Sequence, residues 1–155
     1  LPEAQLDRFM MNVWLDYPSL AEEIQIVKST TTNAVPQLST VISGQEIVFY
    51  QQLIRKMPVP DNVIEYAVRL VAKTRPQNEL APTMVNNFLS WGAGPRASQF
   101  LIIGAKCVAA LKGKYSPDIE DVKAIATPIL RHRIVRNYKA EAEGYTVEKI
   151  IAELL

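Results

Sequence analysis

The sequence predicts an all-α fold: a helical domain over residues 19–155, preceded by a short helical turn and one strand-like segment. Three observations carry that prediction. Ser19-Leu20-Ala21-Glu22 and Ser43-Gly44-Gln45-Glu46 are capping boxes, in which a serine and a glutamate three residues on satisfy each other's orphan backbone donors. Val63, Ala67, Leu70 and Val71 recur at helical spacing. Gly94-Pro95 opens a long apolar run, with proline in the first turn, where its missing N–H costs nothing.

Taken in order, residues 1–9 permit one helical turn, with Pro2 tolerated at its start. Residues 10–15 read as a brief apolar strand ended by Asp16-Tyr17-Pro18. A strand must pair its backbone groups, and every later segment looks helical, so its sheet is expected in residues upstream of Leu1. An extended arm packed on the helices is the alternative. The first capping box starts a helix to about Thr30, with Leu20, Ile24 and Val27 as its inward stripe. The polar, β-branched stretch 30–40, with Pro36, breaks the pattern. The second box starts a helix to about Lys56, and Pro58 and Pro60 punctuate. A helix over 61–74 follows, then a surface loop over 75–93 with a helical turn around 84–90. The run 95–111 is apolar nearly all round and reads as the buried axis, ended by Gly113. Ser116-Pro117 caps a helix carrying Ile119, Val122 and Ile125, Thr127-Pro128 starts a further turn, and 146–155 is an amphipathic helix.

With 155 residues and 48% apolar composition the chain can bury one core. Lys and Arg number 17 against 16 Asp and Glu, so the formal charge of +1 creates no field toward nucleic acid or anionic membrane. The apolar run ending at Leu111 carries Lys106 and falls short of the roughly 20 residues of a membrane span. One cysteine, Cys107, forms no internal disulfide and fits a reducing cytoplasm. The opening Leu1-Pro2-Glu3 reads as the interior of a longer protein.

The single His132 and single Cys107 exclude a His/Cys metal cluster, and Cys107 in its apolar run reads as structural rather than nucleophilic. The chain has neither a Gly-x-x-x-x-Gly-Lys-[Ser/Thr] loop nor a Gly-x-Gly-x-x-Gly fingerprint, so by itself it is expected to hydrolyse nothing. The basic series Arg131, His132, Arg133, Arg136, Lys139 admits a helical nucleic-acid-binding module. It lacks interleaved aromatics, and a solvated face or a subunit contact near Glu141 and Glu143 is the more ordinary reading. His132 reads as a hydrogen-bonded structural histidine. Trp91 could stack on an adenine base, although a packed loop aromatic is commoner.

Leu1-Pro2-Glu3-Ala4-Gln5-Leu6-Asp7-Arg8-Phe9 resembles the nonapeptide that closes the ATPase core of the MoxR family of AAA+ ATPases. Trp91-Gly92-Ala93-Gly94-Pro95-Arg96-Ala97 is similar to the family's Gly-Ala-Ser-Pro-Arg-Ala, and Pro128-Ile129-Leu130-Arg131-His132-Arg133 to its Pro-Val-Leu-Arg-His-Arg. The sequence departs at Gly94, where the family usually has a serine cap, and in the Asn/Pro-rich stretch 75–88. The resemblance implies that residues 1–18 end the AAA+ core and 19–155 form its helical lid. It implies that Arg8 is an arginine finger acting in trans, and that Arg96 is the second sensor, with Gly94 and Pro95 beside the nucleotide. Mg2+ and ATP would be held mainly by the rest of the parent protein, an ATPase forming a homo-hexameric, chaperone-like ring with von Willebrand factor A-like proteins as partners. Chemistry agrees: a guanidinium is always charged and offers phosphate a rigid fork of donors, and a helix N-terminus favours anions. The plain alternative for Arg8 is a surface arginine paired with Asp7 or Glu3. A lid-derived protein-interaction domain uncoupled from nucleotide is the rival for the whole chain.

Overall fold

The structure, a computed structural model, describes residues 3–33 and 35–155. Leu1 and Pro2, which open the nonapeptide, and Ala34 lie outside the described residues. In chain order the elements are α1 (Glu3–Leu6), α2 (Leu20–Thr30), α3 (Gly44–Lys56), α4 (Asp61–Lys73), α5 (Thr83–Phe88), β1 (Leu89–Trp91), α6 (Pro95–Leu111), α7 (Ile119–Leu130), β2 (Val135–Arg136), α8 (Tyr138–Ala142) and α9 (Val147–Leu154).

The core is built by α4, α6, α7 and α9. Val63, Ala67, Leu70 and Val71 of α4 face Ala97, Leu101 and Ala105 of α6, while Val122, Ala126, Ile129 and Leu130 of α7 and Ile150, Ile151 and Leu154 of α9 complete it. Each fully buried leucine or isoleucine contributes about 1.5–3 kcal/mol relative to exposure. Helix α6 comes so near α7 at Gly104 that a Cβ there would lie 2.9 Å from the Ile125 side chain, which reserves the position for glycine. Only one side of α6 is buried, and Leu111 is exposed. Its other side, with Phe100, Ile103 and Cys107, forms an apolar groove of about 570 Å³ with Ile47 and Ile54 of α3. Burial pushes the Cys107 thiol above its usual pKa, as befits a structural cysteine.

Both serine boxes form. Ser19 and Ser43 accept from the amides of Glu22 and Glu46, whose carboxylates in turn accept from the serine amides at 2.8 Å in both cases. Yet α2 and α3 contain no buried residue, and the expected inward stripe of Leu20, Ile24 and Val27 is exposed. Periodicity shows which side chains share a face, not what covers it.

Residues 10–15 pair with no strand among the described residues and lie along the domain, where Asn12 N–H donates to Pro128 O at 2.8 Å, Met10 O accepts from Arg133 Nη1 at 3.2 Å and the Arg131 guanidinium is 4.6 Å from the Trp14 ring. Three further expectations are corrected. Strand pairing occurs instead between β1 and β2, antiparallel, with Leu89 opposite Arg136 and Trp91 opposite Val135. Segments of three and two residues are too short to show alternation. Asp118, not Ser116, caps α7, through a box with Asp121. Pro128 starts no new turn; it lies in the last turn of a continuous α7.

Asp121 is fully buried, yet both its oxygens are engaged, by Lys112 at 2.8 Å and Lys114 at 3.0 Å. Burial pushes its carboxyl pKa up, but hydrogen bonds from Lys112, the Asp118 backbone and Lys114 outweigh it and hold the value at about 2. A depressed carboxylate pKa contributes stability above the unfolded value, near 3.8, and loses it as pH falls through about 2. Urea unfolding of the parent and of Asp121→Asn therefore gives curves that converge as the pH is lowered from about 4 to 2. Parallel curves would show that Asp121 carries no such linkage.

Candidate functional site

The site is assembled at the start of α6. Gly92 lets the loop after β1 pass directly over the end of α4: a Cβ there would lie 2.1 Å from the Thr74 carbonyl oxygen. Buried Thr74 donates its hydroxyl to Val71 O and accepts from Ala93 N–H at 2.9 Å, while Arg75 donates to Ala93 O at 2.9 Å. These bonds fix the residue before Gly94. Gly94 is then the N-cap of α6 and supplies no side-chain cap, Pro95 fills the first turn, and Arg96 follows. In that turn Pro95 has no N–H and Ala97 N–H donates to Gly94 O at 3.0 Å, so the Arg96 amide, beside its own guanidinium, is the donor that suits an anion.

Arg96 reaches across to the N-terminal segment, its Nη1 donating to Asp7 Oδ2 at 2.6 Å. Arg8 and Phe9 fold back on α1 through their amides, to Gln5 O and Leu6 O. The resulting turn directs the carbonyls of Asp7, Phe9 and Met10 and the Asp7 carboxylate toward one residue, Arg133. Arg133 Nε donates to Asp7 Oδ1 at 2.9 Å, Nη2 to Asp7 O at 2.8 Å and Phe9 O at 2.6 Å, and Nη1 to Met10 O at 3.2 Å and to Ile129 O. All five guanidinium N–H groups are used, and the side chain is 1% exposed. Its carbon Cζ lies 5.1 Å from the Phe100 ring centre. Burial lowers the Arg133 pKa and Asp7 opposes that shift, so the group stays cationic.

His132 sits beside this knot, Nε2 3.1 Å from Phe9 O. A carbonyl only accepts, so Nε2 carries the proton. Burial, then the neighbouring Arg133 charge, lowers the imidazole pKa and favours the neutral ring. The reading of His132 as a hydrogen-bonded structural residue agrees with this geometry.

Of the residues singled out in the sequence, Gly94, Pro95 and Arg96 lie together at the α6 N-terminus, and Arg8 is exposed on the turn that Asp7 joins to Arg96. Asp7 pairs with Arg96 and Arg133. Trp91 is not packed: it is 61% exposed and borders a cavity of about 230 Å³ with Asp7, Gly92, Gly94, His132 and Arg133. Most of the basic series is no solvated face, although Lys139 is 55% exposed. Arg133 is buried, Arg131 lies against Trp14 and near Glu148, Arg136 donates to Tyr145 O at 2.6 Å, and Lys139 lies over Phe88. Sequence reasoning missed Asp7 and Arg133 as partners, although both stand inside the motifs it recognised. Among the described residues no group of three or more His, Cys, Asp or Glu could hold a metal ion, and no helix is long and apolar enough to cross a membrane.

Residues 81–154, from the loop before α5 through α9, match the family model of the AAA lid domain. The mostly helical fold and the α6 N-terminal arginine thus belong to a lid of the AAA class. The chain is 32% identical, over its whole length, to Chaperone MoxR1 of Mycobacterium tuberculosis, of which it covers 41%, and 30% identical to the uncharacterised protein YeaC of Bacillus subtilis, of which it covers 46%. A crystal structure of a protein provisionally described as an ATPase, from Cytophaga hutchinsonii, superposes with a TM-score of 0.88 at 32% identity, over 99% of this chain and 47% of that one. The chain carries an AAA lid domain over residues 81–154 and is similar over its whole length to a MoxR chaperone. It spans less than half the length of these relatives.

Removing Arg133 takes a partner from the Asp7 carboxylate, which keeps Arg96, and from four carbonyls, of which Phe9 O keeps His132. Arg133→Ala is expected to cost about 3 kcal/mol, the low end for breaking a buried pair because Asp7 stays partly solvated. Amide exchange of residues 7–12 is expected to accelerate more than that of α4 or α9. Uniform acceleration would show that Arg133 only fills the core.

Proposed function

We propose that this lid serves a MoxR-type ATPase that hydrolyses ATP to ADP and phosphate, with Arg96 as the second sensor and Arg8 as an arginine finger acting on the neighbouring subunit. The observation that carries the proposal is the side-chain-uncapped α6 N-terminus with Arg96 in its first turn, 2.6 Å from the segment that bears Arg8. Residues 1–18 are taken as the end of the ATPase core and 19–155 as the lid.

Nucleotide bound with Mg2+ supplies the phosphoryl group that water attacks, and its phosphates are held mainly by residues outside this chain, which alone is expected to be inactive. The donors of this chain that fit an anion are the Arg96 amide and the Arg96 fork, with Gly94 and Pro95 bringing the backbone close. Arg96 reads the terminal phosphate of its own subunit and moves the lid when that charge departs. Arg8, exposed on its turn, is available to a partner subunit. The relatives include a named chaperone, which supports a chaperone-like role; a cytoplasmic homo-hexamer with von Willebrand factor A-like partners is proposed with it. The nucleic-acid alternative loses its support because its basic residues are engaged within the domain.

Arg8→Ala in the full-length protein is expected to leave ATP binding nearly unchanged and to cut turnover roughly a thousandfold, as for arginine fingers elsewhere. Mixing it with a subunit that lacks its phosphate loop but keeps Arg8 is expected to restore part of the activity. A co-assembled mixture as inactive as Arg8→Ala alone would remove Arg8 from the neighbour's site.

A further inference from the structure

The Asp7 carboxylate is shared unequally. Its Oδ1 is bound to Arg133, which is 1% exposed and donates four more hydrogen bonds to the backbone, so that half of the carboxylate is fixed. Its Oδ2 is bound to Arg96, whose side chain is 45% exposed and whose one ion pair among the described residues is this one. Asp7 is itself 32% exposed. Pairs so solvated are weak and exchangeable, while a phosphate offers the same fork more charge and more acceptor oxygens. Arg96 can therefore leave without disturbing Arg133.

We infer that Asp7 is a positioning residue that holds Arg96 in reserve on the finger-bearing turn and competes with the terminal phosphate of ATP for it. The inference rests on Arg96 being the second sensor. Two states of Arg96 follow: on Asp7 when the terminal phosphate is missing, and on phosphate when it is present. Because Asp7 directly precedes Arg8, release of Arg96 frees one oxygen of the turn from which the proposed finger projects. The sensor of one subunit and the finger that serves the next are in this way joined by one carboxylate. Holding Arg96 on Asp7 reduces the apparent ATP affinity by the fraction of time that Arg96 is engaged.

Asp7→Asn separates the two halves. The amide oxygen still accepts from Arg133 Nε, while the negative charge facing Arg96 is gone. In the full-length protein this variant is expected to bind ATP roughly three to ten times more tightly, to change ADP affinity less than twofold, and to lose its effect when Arg96→Ala is added. The ATP-over-ADP split is a readout that a merely structural role for Asp7 would not move. Unchanged or weaker ATP binding, equal shifts for both nucleotides, or tightening that persists with Arg96→Ala would overturn the inference. If Arg96→Ala alone leaves ATP affinity unaltered, the sensor assignment fails and the inference with it. If Arg96→Ala weakens ATP binding but Asp7→Asn does not tighten it, the inference alone fails. Should Asp7→Asn not fold, Asp7→Ser, which keeps the four backbone acceptors of Arg133, gives the same comparison.

Discussion

Arg133 is where the two ends of the chain are joined. Helix α7 ends with four carbonyls that have no partner within the helix, as every helix does, and each of them finds one nearby. Thr127 O accepts from Arg131 N–H, Pro128 O from Asn12 N–H, Leu130 O from Arg133 N–H and Ile129 O from the Arg133 side chain. Two of those four partners tie the helix to residues 7–12, through the arm itself or through the guanidinium that grips it. The end of α7 and the N-terminal turn therefore complete each other. A lysine could not replace the arginine, since three donors on one nitrogen cannot serve five acceptors spread around a planar fork.

This constraint places the rest of the site. With the turn fixed, Asp7 stands opposite the first turn of α6, and α6 is itself set by the glycine contact at Gly92, the Thr74 bonds and the packing of Gly104 against α7. Arg96 and Arg8 thus project from two segments whose relative position is governed by one buried cation. The same framework leaves α2, α3 and the groove beside Cys107 outside the packed core.

Local signals were legible in the sequence and distant ones were not. The serine boxes, the helical spacing of α4, the proline-led start of α6 and the Gly113 stop, with φ of 72°, each depend on residues within a few positions of one another. The Asp118 box escaped notice because aspartate serves as N3 partner there in place of glutamate. The β1–β2 ladder is too short to leave a period. Asp7 and Arg133 are 126 positions apart, and nothing local distinguishes a buried, fully bonded arginine from its exposed neighbours in a basic run. Family motifs marked both segments as important, but only the fold shows that they bind each other.

The central claim is that Asp7 and Arg133 act as one unit, and a double-mutant cycle on the unfolding free energy tests it most directly. Asp7→Ala, Arg133→Met and the double variant are compared by urea denaturation. The account predicts a coupling of at least about 1.5 kcal/mol, because either single change leaves charged or polar groups without partners that the double change removes together. Effects that add to within about 0.5 kcal/mol would contradict it.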